Sequence, residues 1–486
     1  GGFGSAPKFP IPHTLLFLLS YWYRTKKETA LEMVKKTLTA MRLGGIYDQI
    51  GFGFHRYSTD EKWHIPHFEK MIYDQAMISI AYSQTYAITK NEFYKKVAEE
   101  ILTYVARDMT SPDGAFYTAE DADSEGQEGK FYMWKVEEIK NALGENDAKL
   151  FLEIFNLTAI DNLNPHNLFE NNERYVLYLK HPVPIDLTEK VNSLREKLFD
   201  IRAKRIRPFK DDKILTDWNG LMIASLSIAS RVFNRPDYAI KAKNAADFIL
   251  EKMDNKNGGL FHSYRENMSK VNGFLNDYAF FCWGLLELYE ATFDIKYLKK
   301  AISFTDYQLE HFRDERNGTM FITTKENTEH IMKTPEVYDG AIPSGNSVSL
   351  HNLLRLYHLT GNNKYNQYAH ELINAFSSEI KKYGPGYTHF LSGVDFALNS
   401  SYQIVIVGKR NTENMKLLLS ALNSQFLPNK VVLLKDDDIT DTIEQIAPYT
   451  KYHKPIANKA TAYVCKNFVC HLPTTDAKEM LTLFKN

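Results

Sequence analysis

Cysteine is scarce. The 486 residues hold three, Cys282, Cys465 and Cys470, too few for a disulfide scaffold and typical of a reducing, cytoplasmic setting. Cys465 and Cys470 lie in a β-rich segment. Alternation puts residues five apart on opposite faces of a regular strand, so free thiols are expected, or at most a local bridge made by a turn. No apolar run reaches the ~20 residues that span a bilayer. Leu15 to Leu19 is bounded by Ser20 and Arg24, no signal peptide is visible, and no membrane partner is expected. Charge of one sign is lacking as well. The formal net charge is -1, which gives no long-range pull on nucleic acid. A basic run of Arg202, Lys204, Arg205, Arg207 and Lys210 is followed at once by Asp211 and Asp212 and reads as a solvated helix end. Gly408 follows a β-rich run without the glycine pattern of a dinucleotide loop, and no cofactor is expected. The chain opens Gly1-Gly2-Phe3-Gly4 without Met and reads as a fragment or processed product.

What is present is a large, ordinary globular balance, 44% hydrophobic and 24% charged, and an internal repeat. Four segments start at Thr89, Phe233, Thr292 and Thr360. Five residues on, each has a tyrosine: Tyr94, Tyr238, Tyr297 and Tyr365. Four further on, each has an alanine: Ala98, Ala242, Ala301 and Ala369. Tyrosine and alanine at i and i+4 share one helix face, and the small alanine admits a neighbouring helix. Around Tyr94 the apolar residues follow the i, i+3, i+4, i+7 pattern of an amphipathic helix. Tyr278 to Leu286 and Leu221 to Ile228 are instead apolar all round and carry no charge, as a buried helix must be. Alternating buried and half-exposed helices call for two concentric rings. Glycine turns followed by an apolar or aromatic residue punctuate the repeat, as in Gly114-Ala115-Phe116 and Gly258-Gly259-Leu260-Phe261. The long gap between Gly114 and Gly258 suggests a degenerate hairpin that includes Val136 to Leu143, for about six hairpins in all. The expected fold is mainly α: an (α/α)6 barrel over residues 1–398. A small α/β region over 399–486 would begin with a β-α-β unit at Tyr402–Gly408, Asn414–Leu422 and Lys430–Lys435.

Polar residues should cluster where loops feed the buried helices. The first such segment carries Arg56, Trp63, His64, His67, Glu69 and Asp74. His64, His67 and Glu69 match no standard metal spacing, with Pro66 between the histidines, so no metal is expected. The second, Glu120 to Gly126, brings Asp121 and Asp123 and starts like a calcium loop. It has Tyr132 where that loop needs a bidentate Glu, so it reads as an acidic turn or as carboxylates for sugar hydroxyls. The third holds Asp217, Trp218 and Asn219. The fourth holds Asp277 with Tyr278, and Asp339 with Ser344 and Asn346. Helix capping competes with ligand contact at Asp217, Asp277, Ser344 and Asn346. Asp74, Asp217, Asp277 and Asp339 would ring one rim, which suits a polyhydroxyl ligand. Two carboxyls could hydrolyse a glycosidic bond; His67 could instead move a proton at the carbon next to a sugar carbonyl. Asp74 and Asp277 are expected to face the pocket. Asn caps about as well as Asp, so Asp277→Asn is expected to leave stability nearly unchanged. A non-catalytic scaffold that binds sugar or protein is the alternative.

These stretches resemble the YyaL-type family that includes spermatogenesis-associated protein 20. The resemblance rests on Gly44 to Asp74, Phe116 to Trp134, Asp211 to Met222, Asn276 to Tyr289, Asp339 to Leu354 and Tyr463 to Pro473. It implies a six-hairpin barrel similar to N-acylglucosamine 2-epimerases and six-hairpin glycosidases. It also implies a preceding thioredoxin-like domain, absent here, that would dock on the barrel. Phe52 interrupts a triple glycine that many members carry. Asp217 stands where many have serine, so the resemblance favours Asp74 and Asp277 as catalysts.

Overall fold

A computed structural model describes residues 1–159, 174–326 and 335–484. The helices in chain order are α1 (Pro12–Thr25), α2 (Glu28–Leu43), α3 (Ile72–Thr89), α4 (Glu92–Asp108), α5 (Val136–Leu143), α6 (Glu145–Ile154) and α7 (Thr188–Arg202). They continue with α8 (Thr216–Phe233), α9 (Pro236–Lys252), α10 (Leu275–Thr292), α11 (Ile295–His311), α12 (Gly345–Thr360), α13 (Asn363–Ile380), α14 (Thr388–Leu398) and α15 (Glu413–Asn423).

Helices α1, α3, α8, α10, α12 and α14 pack side by side, and α14 returns to α1, closing an inner ring of six. The sequence accounts for this division. In α3 and α10 nearly every residue is buried on every face, whereas α4 and α11 bury one stripe and leave the other in water. Ala98, Ala242, Ala301 and Ala369 of the repeat are all fully buried. The repeated tyrosines also tie outer helix to outer helix: the Tyr297 hydroxyl donates to Asp247 and that of Tyr365 to Asp306. The result is an (α/α)6 barrel.

The count of hairpins differs from the sequence expectation. Among the described residues five hairpins are complete, and α14 alone supplies the sixth inner helix. Val136–Leu143 is α5, which lies outside the ring. With α6, α7 and the paired strands Phe155–Ala159 and Tyr175–Leu179, it closes a separate apolar cluster around Trp134, Phe151 and Leu194. The basic run at the end of α7 is also not simply solvated. Arg202 is buried and donates two hydrogen bonds to Asp48, at 2.8 Å each, while Lys70 donates to the same carboxylate at 2.8 Å. That cluster pins the insertion to the barrel rim.

After α14 the chain forms a four-stranded sheet in the order Lys430–Lys435, Tyr402–Val407, Thr461–Lys466, Val469–Cys470. The first two strands are parallel and joined through α15, as the β-α-β pattern foretold. Apolar residues of this sheet belong to the same core cluster as the barrel. Cys465 and Cys470 are bonded to each other, the local bridge made by a turn rather than the free thiols. Asn467 and Phe468 turn the chain with positive φ of 50° and 63°. This makes Cys465 and Cys470 direct cross-strand partners, and the two sulfurs meet. Among the described residues no helix is long and apolar enough to cross a membrane.

Candidate active site

The inner helices start at one rim, and glycine decides how closely two of them meet there. A Cβ on Gly220 of α8 would lie 2.5 Å from the carbonyl carbon of Phe280 in α10. A Cβ on Gly284 would lie 2.6 Å from the Gly220 carbonyl oxygen. With no side chain at either position the two backbones touch. One turn earlier, the backbone N–H of Asp217 therefore reaches Oδ1 of Asp277, at 3.0 Å.

Asp277 is completely buried and accepts more than that one bond. Phe274 N–H donates to its Oδ2 at 2.7 Å, closing the first turn of α10. Nδ1 of His262 lies 3.1 and 3.0 Å from its two oxygens. His262 comes from the strand Phe261–Arg265, just after the Gly258-Gly259 turn. Burial works against a charge on this imidazole, but the hydrogen bond and charge of Asp277 outweigh it and raise its pKa. Its Nε2 makes no hydrogen bond among the described residues. Burial, and then the charge of Asp277, push the Asp217 carboxyl up to about 8, so this acid holds its proton at neutral pH.

One donor atom each from Asp217, His262 and Asp277 lies within 4.8 Å of the others. That set could supply three ligands to an ion. Both Asp277 oxygens, however, already accept N–H bonds, which suits an aspartate that orients a histidine.

The other expected residues fall into two groups. One is a polar chain on the rim. Arg56 donates to the Tyr73 hydroxyl at 3.2 Å and to Glu69 at 2.9 Å. His67 lies between Glu128, at 2.8 Å, and Glu69, at 3.6 Å. Those two partners raise the His67 pKa to about 9, so it is a cation at neutral pH and a poor proton acceptor. Asp74, in the first turn of α3, stands apart from Asp217 and Asp277, with no hydrogen bond or ion pair to either among the described residues. Burial raises its pKa well above the usual range, and its Oδ2 has no partner. Asp74 and Asp277 are both buried. Trp218 packs edge-on against Tyr73 with ring centres 4.8 Å apart and stays half-buried.

The second group does structural work. Asn219 accepts from Phe116 N–H and donates to Phe116 O, and Asn346 does the same to Met320. Each amide thus clamps the residue that follows a glycine turn, as Gln75 clamps Phe54. Ser344 caps α12 through Ser347 N–H. Asp339 accepts from Ser344, His389 and Phe390 N–H groups, tying α12 to α14. Tyr278 is buried, with its hydroxyl accepting from Leu260 N–H. Trp63 is buried, and its ring nitrogen donates to Gly1 O. His64 stacks on Tyr178. Asp121 and Asp123 are exposed at a tight hairpin that pairs Asp123–Ser124 with Gln127–Glu128, which agrees with the acidic-turn reading. Asp217 does not cap α8, whose N-cap is Leu215.

His262 was not singled out by the sequence. The available signal was its place two residues after a glycine turn already marked as part of the repeat.

The (α/α)6 barrel has a counterpart in fold among solved structures. It resembles the solved cellobiose 2-epimerase from Bacillus thermoamylovorans, with a TM-score of 0.51 over 79% of this chain and 81% of that one, at 14% identity. No protein-family model matches the chain. It is 36% identical to human spermatogenesis-associated protein 20, across 99% of this chain and 67% of that protein. It is 32% identical to an uncharacterised Caenorhabditis elegans protein, across 100% of this chain and 71% of that one. The chain belongs to the spermatogenesis-associated protein 20 family. It spans about two thirds of the length of these curated relatives.

Proposed function

We propose that the barrel is a sugar isomerase or epimerase that moves a proton at the carbon next to a sugar carbonyl. The observation that carries this is the Asp277–His262 pair beside a protonated Asp217. Asp277 holds the imidazole through Nδ1 and leaves Nε2 to take the proton. Asp217 donates its proton to the carbonyl oxygen as negative charge develops there. The two groups have environments that separate their roles, which is the usual mark of an acid–base pair. Tyr73 and Trp218 offer apolar faces for the ring, and Arg56 offers donors for hydroxyls.

Glycoside hydrolysis is the second reading, favoured by the short distance between the Asp217 and Asp277 carboxyls. It suits the observed burial less well. A retaining hydrolase needs a nucleophile open to the sugar, and Asp277 is completely buried with both oxygens engaged. NMR of a panel of reducing sugars and glycosides, incubated with the protein, separates the two. Isomerisation yields a new sugar with no bond cleaved. Release of free sugar from a glycoside overturns the proposal in favour of hydrolysis, and no turnover of any panel member leaves only a binding scaffold.

A further inference from the structure

A second polar site lies farther along the barrel. Glu287 and Glu290 stand ten and thirteen residues past Asp277 on α10, roughly 15–20 Å along the helix at ~1.5 Å per residue. There Glu290 accepts from Arg231 at 2.5 Å, from Arg355 at 3.1 Å and from Lys430 at 2.8 Å. Glu287 accepts from Arg355 at 2.6 Å, from Trp283 Nε1 at 3.3 Å, and also from Arg231. Three cations thus meet two carboxylates and leave one positive charge in excess. A buried net charge is costly unless something neutralises it.

Beside this cluster is a cavity of about 180 Å³, walled by the inner helices and on one side by residues 423–430 of the C-terminal sheet region. It has room for about six waters at ~30 Å³ each, or one monosaccharide-sized molecule. Trp283 and Phe396 give it apolar faces. Ser20, Gln84 and Asn423 also line it and have no side-chain hydrogen-bond partner among the described residues. His389 lines it too, and its buried Nδ1 is unpartnered. Burial holds His389 and His351 neutral, so both suit hydroxyls better than a second anion.

We propose that this cavity binds a monoanionic sugar acid, with the carboxylate on the Arg231–Arg355–Lys430 face and the hydroxyls on the amides and histidines. The site is separate from the rim and does not depend on the reaction assigned there.

Isothermal titration calorimetry of the whole chain with glucuronate, glucose and inorganic phosphate tests it. Glucuronate should bind, and glucose and phosphate should each bind at least about tenfold more weakly, since one lacks the charge and the other the hydroxyls. Lys430→Met and Asn423→Leu should each weaken glucuronate by about tenfold or more, and Asp217→Asn should leave it unchanged. If Lys430→Met fails to fold, Asn423→Leu carries the test, because that side chain has no partner to lose. Three results would overturn the proposal: no glucuronate binding; phosphate binding as tightly as glucuronate; or binding that Asp217→Asn abolishes while Asn423→Leu leaves it intact.

Discussion

The backbone N–H of Asp217 donates to Oδ1 of Asp277 at 3.0 Å, a bond between two inner helices at the point where their two carboxyls meet. Phe274 N–H occupies the other oxygen at 2.7 Å. An asparagine has one acceptor to offer, so in Asp277→Asn the amide NH₂ must face one of these N–H groups. The sequence argument that Asn caps as well as Asp therefore does not hold here. Asp277→Asn should lose roughly 1–3 kcal/mol, the cost of an unmet buried donor, and the His262 pKa should fall. Denaturant melts and an NMR titration of His262 check both; an unchanged His262 titration would contradict the pairing.

Asp217 gives stability a pH dependence. Its carboxyl is pushed up to about 8 in the folded chain, against ~3.9 when unfolded. Between those values the native state binds the extra proton, so stability falls as pH rises through the window. Asp217→Asn has no such proton to lose. Its melting temperature relative to the parent should climb from about pH 4 to about pH 8, ending roughly 1–3 kcal/mol more favourable once coupling to Asp277 is allowed for. A pH-independent offset between the two proteins would contradict the raised pKa. Activity should fall above about pH 8 as this acid ionises.

Gly220→Ala tests what brings α8 and α10 together. Alanine gains ~1 kcal/mol of helix propensity, but its Cβ would meet the Phe280 backbone at 2.5 Å. Backbone cannot swing aside as a side chain can, so the helices must part. The expected net effect is a loss of roughly 1–3 kcal/mol, with the His262 and Asp217 titrations moving toward ordinary values. A stabilised variant with unchanged titrations would show that the close approach does not matter.

The Cys465–Cys470 bond leaves Cys282 as the free cysteine. Thiol counting on protein unfolded without reductant should give one thiol per chain, and three after reduction. Three thiols without reductant would contradict the bond and favour the free-thiol arm of the sequence reading.

How far the sequence reached depends on the range of the interaction. The two rings were legible because Tyr94 with Ala98, and the charge-free run from Tyr278 to Leu286, are local patterns that burial imposes on a helix. The closing helix α14 was missed because no outer helix follows Leu398 to complete the repeat. Val136–Leu143 was misplaced because its helical pattern is the same whether it packs on the barrel or on Trp134 and Phe151. In the site, Asp217 and Asp277 were both marked as rim residues, but their pairing depends on Gly220 and Gly284 sixty-four residues apart. His262 lies on a short strand whose alternation gives an imidazole no special status. Asn219 and Asn346 looked like ligand contacts because a polar side chain beside an apolar helix has the same sequence signature whether it meets a ligand or a backbone.

The most direct measurement is deuterium uptake from heavy water by reducing sugars, followed by NMR with the parent chain and with His262→Gln. Deuterium should appear at the carbon next to the carbonyl as product forms, and His262→Gln should slow both by about 10²-fold or more, the scale of a lost general base. Product formed without deuterium, or a rate unchanged in His262→Gln, would contradict proton transfer by His262.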